Sequence, residues 1–294
     1  FIYKNLTEEL VTAYENADDV QRTIIDEIAG LLGPQGIEIL SKVLSETENR
    51  QARKFATDAL IQQGEMARRW VLKALGNPDQ PWYLLRNTLM ILRSVGKGEE
   101  GIARARQFIS HEHPRVRDEA LHTFLALKAP DAEQIVIDAL EDPDDKVQWR
   151  ATAALSELAP LSETSVAKII QVIKTEIPEE EEAAAVHSRK ICNIIRTLGT
   201  VVNIKNIQTV EESLLEIAQM INGQKKGFFK RLKKSSSPHH TAILSAAIAT
   251  LGKIGTANSE AFLKKMAATK TAQAEAARKA IEGIHARYAK QQDS

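Results

Sequence analysis

Small or apolar residues recur in pairs four positions apart along this chain, and the pairs recur about every 32 residues. They are Ile24/Ile28, Ala56/Leu60, Thr88/Leu92, Ala120/Phe124 and Ala151/Leu155, separated by steps of 32, 32, 32 and 31. A third apolar residue follows at the seventh position in four of the five, as Leu31, Val95, Leu127 and Leu158. The next steps stretch to 40, giving Ile191/Ile195/Leu198, and to 53, giving Leu244/Ile248/Leu251, before Ala276/Ala280. Spacings of four and three mark one face of an α-helix. A period of this length marks a stack of helical hairpins, each burying its apolar face on its neighbours.

The stretch 113–142 shows one unit whole. Pro114 suits a first helical turn, and Val116, Ala120, Phe124 and Leu127 form the inward face. Lys128-Ala129-Pro130-Asp131 breaks the helix, with Asp131 a candidate N-cap, and Ile135, Val136, Ala139 and Leu140 mark the second helix. The same pattern restarts with Val147, Ala151, Leu155 and Leu158. At the ends, Leu6, Leu10 and Tyr14 predict one capping helix, and the Ala-rich, charged run 272–280 predicts a solvated C-terminal cap.

Composition narrows the picture. With 43% hydrophobic but only 5% aromatic residues, the core is aliphatic. Lys+Arg and Asp+Glu stand at 39 each, which argues against a nonspecific nucleic-acid binder. Cys192 is the single cysteine, so no intrachain disulfide forms, a reducing compartment is implied and a thiolate-rich metal site is excluded. No apolar run approaches the ~20 residues that span a bilayer, and no signal peptide is visible. The expected location is cytoplasmic. The start at Phe1 suggests a processed form or a piece of something longer.

The runs His-Pro-Arg-Val-Arg-Asp-Glu-Ala (113–120) and Asp-Pro-Asp-Asp-Lys-Val-Gln-Trp-Arg-Ala (142–151) resemble the HEAT repeat family in its short bacterial form, as do the Leu-Gly pairs 32–33, 198–199 and 251–252, which stand where such helices end. The resemblance covers roughly 17–285. It implies an all-α, right-handed α-α superhelix of about seven units. First helices would line its convex side and second helices its concave side. It also implies a noncatalytic protein-interaction scaffold, with a second possibility in the HEAT-like lyases that attach bilins to phycobiliproteins. No cofactor is expected.

The expected organisation is a capping helix over 1–16, six repeats over 17–222, a basic insertion over 223–237, and a seventh repeat with its cap over 238–294. Two candidate binding sets follow. Arg68, Arg69, Lys73, Arg104 and Arg106 fall on second helices, where they would form a cationic strip for an acidic peptide or phosphate, or else be ordinary surface charge paired with Glu65, Glu99 and Glu100. In the insertion, Lys225, Lys226, Lys230, Arg231, Lys233 and Lys234 surround Phe228 and Phe229. That mixture suits an anionic membrane surface and would make the chain a peripheral membrane adaptor. It equally suits a solvated linker. Glu179–Glu182 reads as a helix N-terminus favoured by the helix dipole. Trp70, Trp82 and Trp149 read as packing residues. His111-Glu112 is a lone pair that cannot build a metal site, and His239-His240 beside Pro238 reads as a helix start.

Overall fold

The turn chemistry of the repeat works as its residues require. His113 accepts a hydrogen bond from the Arg115 amide (3.2 Å), and Pro114 opens the helix behind it. Asn49, Asp144, Ser162 and Thr256 cap other helices in the same way, each accepting from an amide two or three residues on. In the computed structural model, which describes residues 2–203, 205–223 and 237–292, the described residues form sixteen helices and no strand. They are α1 (Ile2–Asn16), α2 (Asp19–Leu32), α3 (Pro34–Glu46), α4 (Arg50–Gln62), α5 (Glu65–Ala74), α6 (Trp82–Val95), α7 (Gly98–Arg106) and α8 (Pro114–Ala126). There follow α9 (Ala132–Ala139), α10 (Asp145–Ala154), α11 (Glu163–Ile173), α12 (Glu181–Val201), α13 (Ile207–Ile221), α14 (Pro238–Ile254), α15 (Ala257–Ala267) and α16 (Gln273–Gln292). The chain divides into two compact units, 1–132 and 133–294. The basic insertion lies outside the described residues from 224 to 236.

From the second repeat to the seventh the anchor pairs are core. Ala56, Leu60, Leu92, Ala120, Phe124, Ala151, Leu155, Ile195 and Ile248 are fully buried, and Thr88, Ile191 and Leu244 nearly so. Burying each large aliphatic side chain contributes about 1.5–3 kcal/mol. Small anchors let neighbouring first helices approach. In the first unit, the buried Thr123 hydroxyl of α8 donates to the Leu89 carbonyl of α6 (3.1 Å). In the second unit Thr250 of α14 does the same to Ile195 of α12 (3.1 Å). Two of the Leu-Gly pairs do not end helices: Gly199 and Gly252 lie inside α12 and α14. They mark close approaches instead. A Cβ on Gly199 would sit 2.9 Å from the Thr250 methyl, and one on Gly252 would sit 2.8 Å from the Ala280 backbone of α16. Gly33 alone of the three behaves as a cap, at φ +59°.

The first repeat departs from the pattern. Ile24, Ile28 and Leu31 are 52%, 42% and 90% exposed, and Val20 is 71% exposed. The positions one repeat on from Val20, Ile24 and Ile28 are Ala52, Ala56 and Leu60, all at 0%. Polar groups set the turn of α2. Its inward side carries Arg22, Asp26 and Ala29. The Arg22 guanidinium donates to the carbonyls of Tyr14 (3.1 Å) and Glu15 (3.3 Å) and lies 5.4 Å from the Phe55 ring. The buried Tyr14 hydroxyl donates to Asp26 Oδ1 (2.9 Å). Ala29 leaves no room beside Gly36 of α3, where a Cβ would overlap its carbonyl. With these groups facing in, the apolar row faces out.

In the second unit a buried carboxylate reinforces the Thr256 cap of α15. Glu211 of α13, 2% exposed, accepts from the Thr256 amide (2.7 Å) and hydroxyl (3.0 Å) and from the Ser259 amide (3.2 Å) and hydroxyl (2.5 Å) at the start of α15. Glu211→Ala strands these buried donors and is expected to cost about 2–4 kcal/mol in urea unfolding. A loss below roughly 0.5 kcal/mol, the range of ordinary surface changes, contradicts this role.

Burial raises the Asp26 carboxyl to about 6, with Asp58 adding to the rise while the Tyr14 hydrogen bond and Arg22 oppose it. Between pH 4 and 6 the unfolded chain has already released this proton and the folded chain has not. Asp26 therefore makes stability fall as pH rises through that window. Asp26→Asn keeps an acceptor for Tyr14 and is expected to flatten the fall and raise the melting temperature at pH 7. An unchanged pH profile contradicts the assignment.

Candidate functional site

The second helices of the first unit place the five cations of the expected strip differently. Arg68 is committed to neighbours, reaching Glu65 (3.2 Å), the Lys97 carbonyl (3.3 Å) and Glu100 (3.5 Å). Arg106 forms a two-pronged pair with Asp131 (2.5 and 2.7 Å) and lies 4.9 Å from the Phe124 ring. That pairing raises the guanidinium further and holds the Asp131 carboxyl below its ordinary value. Arg69 and Lys73 are exposed one turn apart on α5. Arg104 of α7 brings Nη1 to 3.7 Å of where a Cβ on Gly76 would stand, at the end of α5. Among the described residues none of these three forms an ion pair. The strip thus resolves into two bridged arginines and three open cations, Arg69, Lys73 and Arg104. A separate open hollow of about 330 Å³ is lined by Trp70, Lys42, Glu38 and Gln80, and none of the three cations lines it.

A row of arginine–aromatic contacts lies across α2, α4, α6 and α8. Arg22 stands over Phe55, Arg53 stands 5.1 Å from Tyr83, and Arg115 stands 5.2 Å from Trp82. Trp82 stacks on His113 with centroids 4.2 Å apart and planes 5° from parallel. Burial and the nearby Arg115 keep the His113 imidazole below its usual pKa. These contacts tie successive repeats together. They were not read from the sequence, where the signal was an arginine about one repeat from each ring.

The second unit contains a contact that sequence spacing hides. Ser188 Oγ lies 3.2 Å from His239 Nδ1, and His239 Nε2 lies 3.1 Å from Glu181 Oε1. The order resembles a nucleophile, base and acid, but the placement does not serve that chemistry. Ser188 is 5% exposed in the middle of α12, and its hydroxyl donates to the Ala185 carbonyl (3.1 Å). The three residues clamp the start of α14 against α12. Glu181 and Glu182 occupy the first turn of α12, as the acidic run suggested. Near them, an open hollow of about 440 Å³ is lined by Asp145, Gln148, Glu180, Glu182, His187 and Lys190. Burial lowers the pKa of both His187 and Lys190 there.

Cys192 is 4% exposed, and burial pushes its thiol up, as for a core residue. Among the described residues no group of three His, Cys, Asp or Glu could hold a metal ion, and no helix is long and apolar enough to cross a membrane. Lys225, Lys226, Phe228, Phe229, Lys230, Arg231, Lys233 and Lys234 all lie outside the described residues. Trp149 corrects the packing expectation: on α10, between the buried Val147 and Ala151, its ring turns outward and is 63% exposed. Trp70 and Trp82 are half-buried.

The description "HEAT repeats" attaches to the family model that matches residues 68–156 and again residues 102–188. No curated protein matches the chain. Among solved structures, an engineered protein of the Northeast Structural Genomics Consortium is similar at 15% identity and a TM-score of 0.43, covering 94% of this chain and 77% of that one. Human deoxyhypusine hydroxylase in complex with glycerol is similar at 13% identity and 0.34, covering 98% and 97%. A designed armadillo repeat protein in complex with the peptide (KR)4 is similar at 14% identity and 0.36, covering 86% and 99%. Likeness this loose transfers no ligand or activity.

Trp149→Phe is expected to remove the fraction of tryptophan fluorescence most accessible to acrylamide while moving stability by less than about 0.5 kcal/mol. A variant whose quenching matches the parent's places the exposed ring elsewhere. The matched segment, residues 68–188, runs from α5 into α12 and consists of HEAT repeats, and the described residues on both sides of it continue the same all-helical alternation.

Proposed function

We propose that the chain is a noncatalytic interaction scaffold that holds an acidic segment of a protein partner along the second-helix face of its first unit. Arg69, Lys73 and Arg104 supply the charge. The observation that supports this reading is that these three cations form no ion pair among the described residues while Arg68 and Arg106 are bridged to carboxylates. Open cations keep their hydrogen-bonding capacity for a partner's carboxylates or phosphates. Bridged arginines have spent much of it within the fold. Stacked repeats suit such binding because each repeat extends one continuous face. The peripheral-membrane reading rests on 223–237, and no observation on the described residues favours it. None favours a bilin lyase either.

The test is fluorescence anisotropy with a labelled acidic peptide built from Glu and Leu. Arg69→Glu, Lys73→Glu and Arg104→Glu together are expected to weaken binding at least tenfold. The melting temperature should hold, and parental binding should decline as salt rises. Equal affinity in parent and triple variant removes the strip from the account.

A further inference from the structure

The outward row of α2 is the largest departure from the repeat. Val20, Ile24, Ile28 and Leu31 follow spacings of four, four and three, so they form one ridge roughly 16 Å long. In the second to fifth repeats the positions of Val20, Ile24 and Ile28 are core, and here the row faces solvent. The orientation is not slack. Reversing α2 would expose the Arg22 and Tyr14–Asp26 hydrogen bonds and break the Ala29–Gly36 approach. The fold therefore holds an apolar ridge outward at a cost in exposed hydrocarbon, which marks an interaction surface rather than an accident of packing.

Charge identifies what covers it. Residues 1–31 carry seven acidic side chains and two basic ones. Arg22 is buried and pairs with Asp19 (3.4 Å), while Glu27 on α2 and Asp18 and Asp19 at its start are exposed along the ridge. An acidic margin repels an anionic lipid surface. It also disfavours a second copy of the ridge. Two α2 helices packed antiparallel about the middle of the row would bring Glu27 beside its own counterpart. A partner helix with apolar residues at matching spacing and lysines or arginines on its flanks meets both the ridge and its margin.

We infer that α2 is a docking ridge for a basic amphipathic segment of a partner protein, distinct from the cationic strip on α5 and α7. This deepens the scaffold reading and rests on it, giving the first unit two faces of opposite charge preference.

The probe is a labelled 14-residue peptide of Leu and Lys with leucines spaced four and three apart, titrated against the full chain. Ile24→Asp with Ile28→Asp is expected to weaken its binding at least tenfold, with an unchanged helical circular dichroism spectrum because both residues are exposed. Glu27→Lys is expected to weaken it severalfold and to flatten its salt dependence. The triple strip variant should bind this peptide as the parent does, and the α2 variant should bind the acidic peptide as the parent does, so either surface can fail alone. Equal affinity of the basic peptide for parent and α2 variant overturns the inference. So does a parent that sediments as a dimer while the α2 variant sediments as a monomer, because a second copy then covers the ridge.

Discussion

Each helix in this chain presents an apolar row that it cannot bury alone, and the packing of one repeat on the next is what removes that row from water. The constraint falls hardest on the anchor positions. They combine Ala56, Ala120 and Ala151 with Leu60, Phe124 and Leu155, a small residue to admit the neighbour and a large one to fill the space it leaves. Where helices come closest the residues shrink further, as at Gly199 against Thr250 and Gly252 against Ala280. The buried threonines then recover their hydroxyl hydrogen bonds from the neighbouring helix's carbonyls. Function is left to side chains on the open faces, which repeat from unit to unit.

The helical alternation was legible because it depends on local spacing and turn chemistry. Val116, Ala120 and Phe124 declare one face of α8, and the Asp-Pro run 142–143 declares the turn before α10. The orientation of α2 was not legible. That helix carries a second apolar row in Ile25, Ala29 and Leu32, so periodicity alone permits two inward faces. The choice is made by Tyr14, Arg22 and Asp26, whose mutual hydrogen bonds join α1 to α2. In this orientation the buried arginine and the half-buried carboxylate keep their partners on α1, and the four aliphatic residues face solvent.

Charge followed the same division. That the second helices of the first unit are rich in arginine, with Glu65 and Glu100 as partners for Arg68, could be read directly, but the pairing of Arg106 with Asp131 could not. Glu65 lies one turn from Arg68, whereas Glu100 and Asp131 belong to later helices or turns. Ser188, His239 and Glu181 are 51 and 58 residues apart in their contacts and give no local signal. Trp149 failed as a packing residue for a related reason. Its neighbours Val147 and Ala151 fill the inward face of α10, which leaves its own position turned to solvent.

The most direct measurement compares stability at two equivalent rows. Ile24→Asp with Ile28→Asp alters the ridge of α2, and Ala56→Asp with Leu60→Asp alters the same positions one repeat later. With the ridge facing out, the first pair should leave the unfolding midpoint within the range of surface changes, about 0.5 kcal/mol, while the second should abolish cooperative folding or cost more than about 4–5 kcal/mol. Comparable losses from both pairs would mean that α2 packs in the common register, and the account of an outward ridge would be wrong.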